Sequence, residues 1–108
     1  MLKRVGALLR AGVYETDFVG RYGGEEFGIV LPRADFAGVR RKAEAIRSKI
    51  EEENFVQGLE TVKLTVSTGI AHFPRDGMTA RDLIAGADKA LYKAKETGRN
   101  KVVDAGDV

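Results

Sequence analysis

The chain has 108 residues, 44% of them apolar, with 18 Lys or Arg against 16 Asp or Glu and a single His. That suits one folded domain with its own core, and the absence of Cys excludes a disulfide framework, a thiolate zinc site and a Cys nucleophile, while one His excludes any site that needs two imidazoles. No run approaches the roughly 18 apolar residues of a membrane span, Arg10 cuts the N-terminal apolar stretch too short for a signal peptide, and acids are mixed among the bases, so a cytoplasmic domain without nucleic-acid or direct membrane contact is expected.

Residues 2–13 read as a helix, with Leu2, Val5, Leu8 and Leu9 on one face and Lys3, Arg4 and Arg10 off it. No capping residue precedes it, so the chain reads as beginning inside an element. Residues 17–32 read as a β-hairpin, in which Gly23-Gly24 makes a two-residue turn with positive φ. Residues 35–53 form the clearest helix: Asp35 is its N-cap, and Phe36, Val39, Ala43, Ile46 and Ile50 share a face. Its outer face carries Arg40, Arg41, Lys42, Glu44, Arg47 and Lys49, and reads as a solvated surface in preference to a polyanion site.

Residues 54–60 read as a connection and 61–73 as one alternating strand ending near His72. A lone His without Cys or His partners does not read as a metal ligand. Thr79 caps the next helix with Asp82 three residues on, Leu83, Ile84, Ala87, Ala90, Leu91 and Ala94 face inward, and Gly98 ends it. Residues 100–103 read as a last short strand and 104–108 as a mobile tail. The order α-β-β-α-β-α-β gives an α+β or α/β class with a mixed sheet.

Two clusters carry chemistry. In Arg21-Tyr22-Gly23-Gly24-Glu25-Glu26-Phe27, the two glycines leave backbone N–H groups open to phosphate oxygens, and two carboxylates follow. Neighbours on a strand point to opposite faces, so Glu25 and Glu26 do not chelate one ion side by side. Their hard oxygens suit Mg²⁺. An ordinary hairpin with a polar rim has the same composition. In the second cluster, Lys95 and Arg99 stand four apart across a helix end. They can hold a phosphate, or simply offset the macrodipole at the helix C-terminus.

RYGGEEF resembles the signature of the GGDEF family, the diguanylate cyclases, which condense two GTP into cyclic di-GMP and release pyrophosphate. LTVSTGIAHFP resembles the strand that follows the family's long helix, and ADKALYKAKETGRNKV resembles its closing segment. The likeness runs along the whole chain in the family's order. It implies an α+β fold with a mixed, largely antiparallel sheet flanked by helices, related to the nucleotide cyclase and polymerase palm. It implies that Glu25 binds the catalytic metal, Mg²⁺ or Mn²⁺, and that Glu26 is the active-site glutamate. Gly23 and Gly24 would accommodate the substrate phosphates, and Lys95 and Arg99 would hold the GTP triphosphate. Asn100 would steady the turn, while Asp88 and Tyr92 read as structural helix residues.

The resemblance further implies a symmetric homodimer for catalysis, and a sensor or receiver domain in a parent protein that can itself be membrane-tethered. Two departures stand out. The family's opening strand and following helix, with a metal-binding Asp and guanine contacts, are not in this sequence. The chain therefore reads as one N-terminally incomplete domain, residues 1–108, inactive alone. The family's Arg-x-x-Asp product-inhibition site is degenerate, with Asp17 in place but Tyr14 at the Arg position. A non-catalytic module of the same fold, binding nucleotide or a partner domain, is the alternative.

Overall fold

The computed structural model describes residues 18–21, 27–30 and 35–108, so the expected helix over 2–13 lies outside the described residues. The chain divides into two compact units, Met1–Leu64 and Thr65–Val108.

In the first unit, β1 (Phe18–Arg21) pairs antiparallel with β2 (Phe27–Val30), from Phe18↔Val30 to Arg21↔Phe27. The ladder ends at Arg21↔Phe27, and the expected turn at Gly23-Gly24 lies outside the described residues. Helix α1 (Phe36–Glu52) starts where expected: the Asp35 carboxylate accepts the Gly38 N–H at 2.6 Å and satisfies a first-turn donor. Ile46 and Ile50 are its buried residues, whereas Phe36 at the N-terminal end of the same stripe is exposed. Its outer face is laced internally. Arg47 Nε donates to both Glu44 carboxylate oxygens at 3.0 Å, and Nη1 reaches Glu51 at 3.3 Å. The Arg47 hydrogen bonds hold the Glu44 carboxyl below its ordinary range. Such i,i+3 and i,i+4 pairs mark a solvated helix face.

The segment expected as a plain connection is a second hairpin. β3 (Phe55–Gln57) pairs antiparallel with β4 (Glu60–Val62). Gly58, at φ +64°, takes the first position of its two-residue turn. Phe55 is buried, and Lys63 Nζ donates to the Glu52 carbonyl at 3.2 Å, tying the strand's exit back to the end of α1. The single strand expected over 61–73 is thus two, because the alternating pattern runs through a change of ladder partner.

In the second unit, β5 (Thr68–Ile70) pairs parallel with β6 (Val102–Asp104), Thr68↔Val102 through Ile70↔Asp104. Parallel neighbours need a crossover, and helix α2 (Ala80–Glu96) supplies it, packing on both strands. Thr79 caps α2, its hydroxyl accepting the Asp82 N–H at 3.1 Å. Ala90 and Ala94 are fully buried, while Ile84, expected inside, is 42% exposed. The helix seats on β5 through Gly69: a Cβ there would lie 2.0 Å from the Ala87 carbonyl oxygen and 2.5 Å from the Leu91 nitrogen. Only hydrogen fits between strand and helix backbone.

The expected mobile tail is instead anchored. Asp104 is 3% exposed and His72 4%. His72 Nε2 lies 2.6 Å from Asp104 Oδ2. The ionised carboxylate only accepts, so the imidazole donates. Arg75 Nη2 bonds Asp104 Oδ1, and the Gly106 N–H reaches the same oxygen at 2.9 Å, starting a 3-10 turn over Ala105–Asp107. Asp76 completes the cluster, accepting from the His72 N–H at 2.7 Å and from Arg75 Nε at 2.9 Å. Burial pushes the Asp104 carboxyl up, but the Gly106 N–H, His72 and Arg75 outweigh it and hold it well below the usual carboxylate range. Arg75 likewise holds Asp76 below its ordinary value.

Among the described residues, small antiparallel and parallel sheets combine with two helices, which is the mixed α+β class expected, with antiparallel pairing predominating.

Gly69→Ala overpacks the helix–strand contact and is expected to lower stability by about 3 kcal/mol, read as a fall in the urea midpoint. Asp104→Asn leaves buried partners mismatched and is expected to cost about 3 kcal/mol at pH 7. Because the folded carboxyl titrates below its unfolded value of about 3.9, its contribution is complete above that value and is lost as pH falls towards the folded one. The wild-type chain should therefore lose more stability between pH 7 and pH 3 than Asp104→Asn does, as measured by urea unfolding at both.

Candidate functional site

Gly23, Gly24, Glu25 and Glu26 lie between β1 and β2, outside the described residues, as do Tyr14 and Asp17. What is described is the frame: the hairpin ladder ends at Arg21↔Phe27, the pair on either side of the signature. The donors in that segment are hard carboxylate oxygens, a chemistry that fits Mg²⁺. Among the described residues, no three His, Asp or Glu are grouped to hold a metal ion.

Lys95 and Arg99 belong to the C-terminal end of α2, and both are exposed. Their structural and functional readings separate here, because the helix end is closed by backbone groups and by side chains other than theirs. Thr97 N–H and Thr97 Oγ1 both donate to the Lys93 carbonyl, at 3.0 and 2.7 Å. The Arg99 N–H donates to the Ala94 carbonyl at 2.9 Å, the six-to-one bond of a Schellman end, with Gly98 at φ +120° in the left-handed position. Lys101 Nζ caps the Thr97 carbonyl. Lys101 is therefore the cation that completes the helix end by direct contact. Among the described residues, the Lys95 and Arg99 side chains hold no hydrogen bond or ion pair, so both cationic heads are available to an anion.

Beyond Gly98 the backbone stays left-handed, at φ +63° for Arg99 and +49° for Asn100. The Asn100 N–H then donates to Ser67 Oγ at 3.2 Å, and the Thr68 N–H to the Lys101 carbonyl at 2.9 Å. The partner of this backbone amide, Ser67, is a residue that sequence inspection does not single out. Asp88 and Tyr92, read as structural residues, are exposed on α2. With Lys89, Lys93, Glu96 and Val108 they line an open concavity of about 390 Å³. The buried His72–Asp104–Arg75 cluster was also missed. Its only signal is an Asp directly after the apolar pair Val102-Val103.

The protein-family model described as "Diguanylate cyclase, GGDEF domain" matches residues 1–101. Diguanylate cyclase A of Treponema denticola is 32% identical over 102 residues, 94% of this chain and 28% of that protein. Diguanylate cyclase DosC of Escherichia coli K12 is 41% identical over 103 residues, 94% of this chain and 22% of that protein. The chain spans less than a third of the length of these relatives. Among solved structures, the GGDEF domain of DgcB from Caulobacter crescentus, in complex with c-di-GMP, matches with a TM-score of 0.88 and 30% identity over 97% of this chain and 63% of that one. A family match over nearly the whole length, on a fold shared with solved members, establishes that this chain belongs to the GGDEF family of diguanylate cyclase domains.

Proposed function

We propose that this chain carries the substrate-handling residues of a diguanylate cyclase, which joins two GTP into cyclic di-GMP with release of pyrophosphate. The observation that carries this reading is the closure of the α2 end by Thr97 and Lys101, which leaves Lys95 and Arg99 to a ligand. Two cations four residues apart suit the β- and γ-phosphates, and a guanidinium can bind phosphate oxygens bidentately.

In the reaction a ribose 3′-oxygen attacks the α-phosphorus of the other GTP, a new P–O bond forms, and the bond to pyrophosphate breaks. Such a transfer depends on alignment and charge neutralisation more than on a covalent nucleophile. Lys95 and Arg99 stabilise the charge that grows on departing pyrophosphate. Gly23 and Gly24 let the backbone approach the phosphates. Glu26 stands near the nucleophile, where a carboxylate can receive its proton. Glu25 would hold Mg²⁺ or Mn²⁺, which supplies charge neutralisation at the phosphates when bound. Each copy binds one GTP, so two copies meet face to face across a twofold axis for both bonds to form.

We further propose that these residues act in the cytoplasm, where GTP is available, and that a sensor or receiver domain in the parent protein brings two copies together. No described helix is long and apolar enough to cross a membrane. With Tyr14 in place of Arg, tight inhibitory binding of cyclic di-GMP through the Asp17 motif is not expected, and Asp17→Ala should leave dinucleotide affinity unchanged by calorimetry.

Mg²⁺ fills its shell with one or two carboxylates, phosphates and water, and Glu25 alone is a poor site. At high concentration with GTP and Mg²⁺, the 108-residue chain is therefore expected to form no cyclic di-GMP. A longer chain that holds these residues at the full length of the solved domain should form it, and Arg99→Ala there should slow turnover by about 100-fold. Product from the shorter chain, abolished by Glu25→Ala, would show that the residues present suffice. Silence from both would favour a non-catalytic module.

A further inference from the structure

A Schellman end needs one left-handed residue, and Gly98 provides it. Two more follow, Arg99 at φ +63° and Asn100 at φ +49°. Asn tolerates this region through its short polar side chain, whereas Arg gains nothing from it and crowds its Cβ against the carbonyl. Backbone held in such a region persists only where its surroundings over-determine it, and it gathers at ligand clamps. The step here is gripped from one side by two consecutive residues. Ser67 Oγ accepts the Asn100 N–H at 3.2 Å, and the Thr68 N–H donates to the Lys101 carbonyl at 2.9 Å. Thr68 opens β5, whose parallel pairing with β6 begins at Val102, so its bond belongs to the sheet. The Ser67 bond does not. It spans 33 residues of sequence and acts on the residue directly after Arg99. The φ of Arg99 sets the direction in which its side chain leaves the backbone, and that side chain is used by no described neighbour.

We propose that Ser67 is a positioning residue for Arg99: its hydroxyl holds the left-handed Arg99-Asn100 step and so aims the guanidinium at the phosphates. The proposal rests on the triphosphate reading of Arg99 given above. Ser67 touches no substrate. It acts through the Asn100 amide.

The test uses the 108-residue chain and inorganic tripolyphosphate, with affinity from calorimetry and Asn100 amide exchange from NMR. Ser67→Ala is expected to weaken tripolyphosphate binding about three- to tenfold, the range of one net hydrogen bond. It should also speed exchange of the Asn100 amide, and Ser67→Thr, which restores the hydroxyl, should recover both. In an Arg99→Ala background, Ser67→Ala should have no further effect on affinity. If Ser67→Ala does not fold, Ser67→Cys, a weak acceptor of similar size, serves in the same cycle. Equal losses with and without Arg99 would overturn the proposal, as would unchanged affinity in Ser67→Ala when Arg99→Ala binds weakly. Unchanged affinity in Arg99→Ala itself would instead overturn the phosphate reading, and the Ser67 proposal with it.

Discussion

The contact between Gly69 and the backbone of α2 governs the second unit. A strand can lie with its Cα against helical carbonyl and amide groups only if it lacks a Cβ and the helix offers small residues. Here Gly69 meets Ala87, and Ala90 and Ala94 are fully buried along the same helix. The close seating makes α2 a right-sized crossover between two parallel strands three residues long. Strands so short contribute few ladder bonds, so the helix surface, more than the sheet, holds them in place.

From that seating the end of α2 acquires its form. The helix must stop and return into β6 within a few residues, from Glu96 to Val102. The chain makes this return with a left-handed run, Gly98 to Asn100, in which the Arg99 N–H meets the Ala94 carbonyl of the helix. Thr97 and Lys101 are consumed in closing the helix, which separates the cations that stabilise structure from those available to a ligand. At the far end of β6, Asp104 draws His72, Arg75 and Gly106 onto one carboxylate. A buried carboxylate is tolerable only when its lone pairs are met by donors. The cluster therefore joins the loop after β5 to the residues after β6 by obligation.

Much of the local structure was legible because it rests on short-range chemistry. Asp35 and Thr79 accept first-turn amides, Gly98 ends α2, and the apolar spacing gives both long helices their ranges. The resemblance to the cyclases was legible for a related reason: the RYGGEEF signature and the cationic end of α2 are each built from residues near one another in the chain. The errors share a cause as well. Residues 55–62 form a hairpin, and the alternating run 61–73 divides between β4 and β5. In each case strand identity depended on the pairing partner, which alternation alone does not name.

By itself the sequence determined the two described helices, their caps and the mixed α+β class. Those properties follow from side chains acting within a few residues of themselves. Tertiary structure alone decided that Asp104 is buried against His72, that the Lys101 side chain closes α2 while the Arg99 side chain does not, and that Ser67 bonds the amide beside Arg99. Each joins residues about 30 apart or selects between neighbouring cations of like charge. Such outcomes depend on which backbone groups a fold leaves in need of a partner, and no local pattern encodes that.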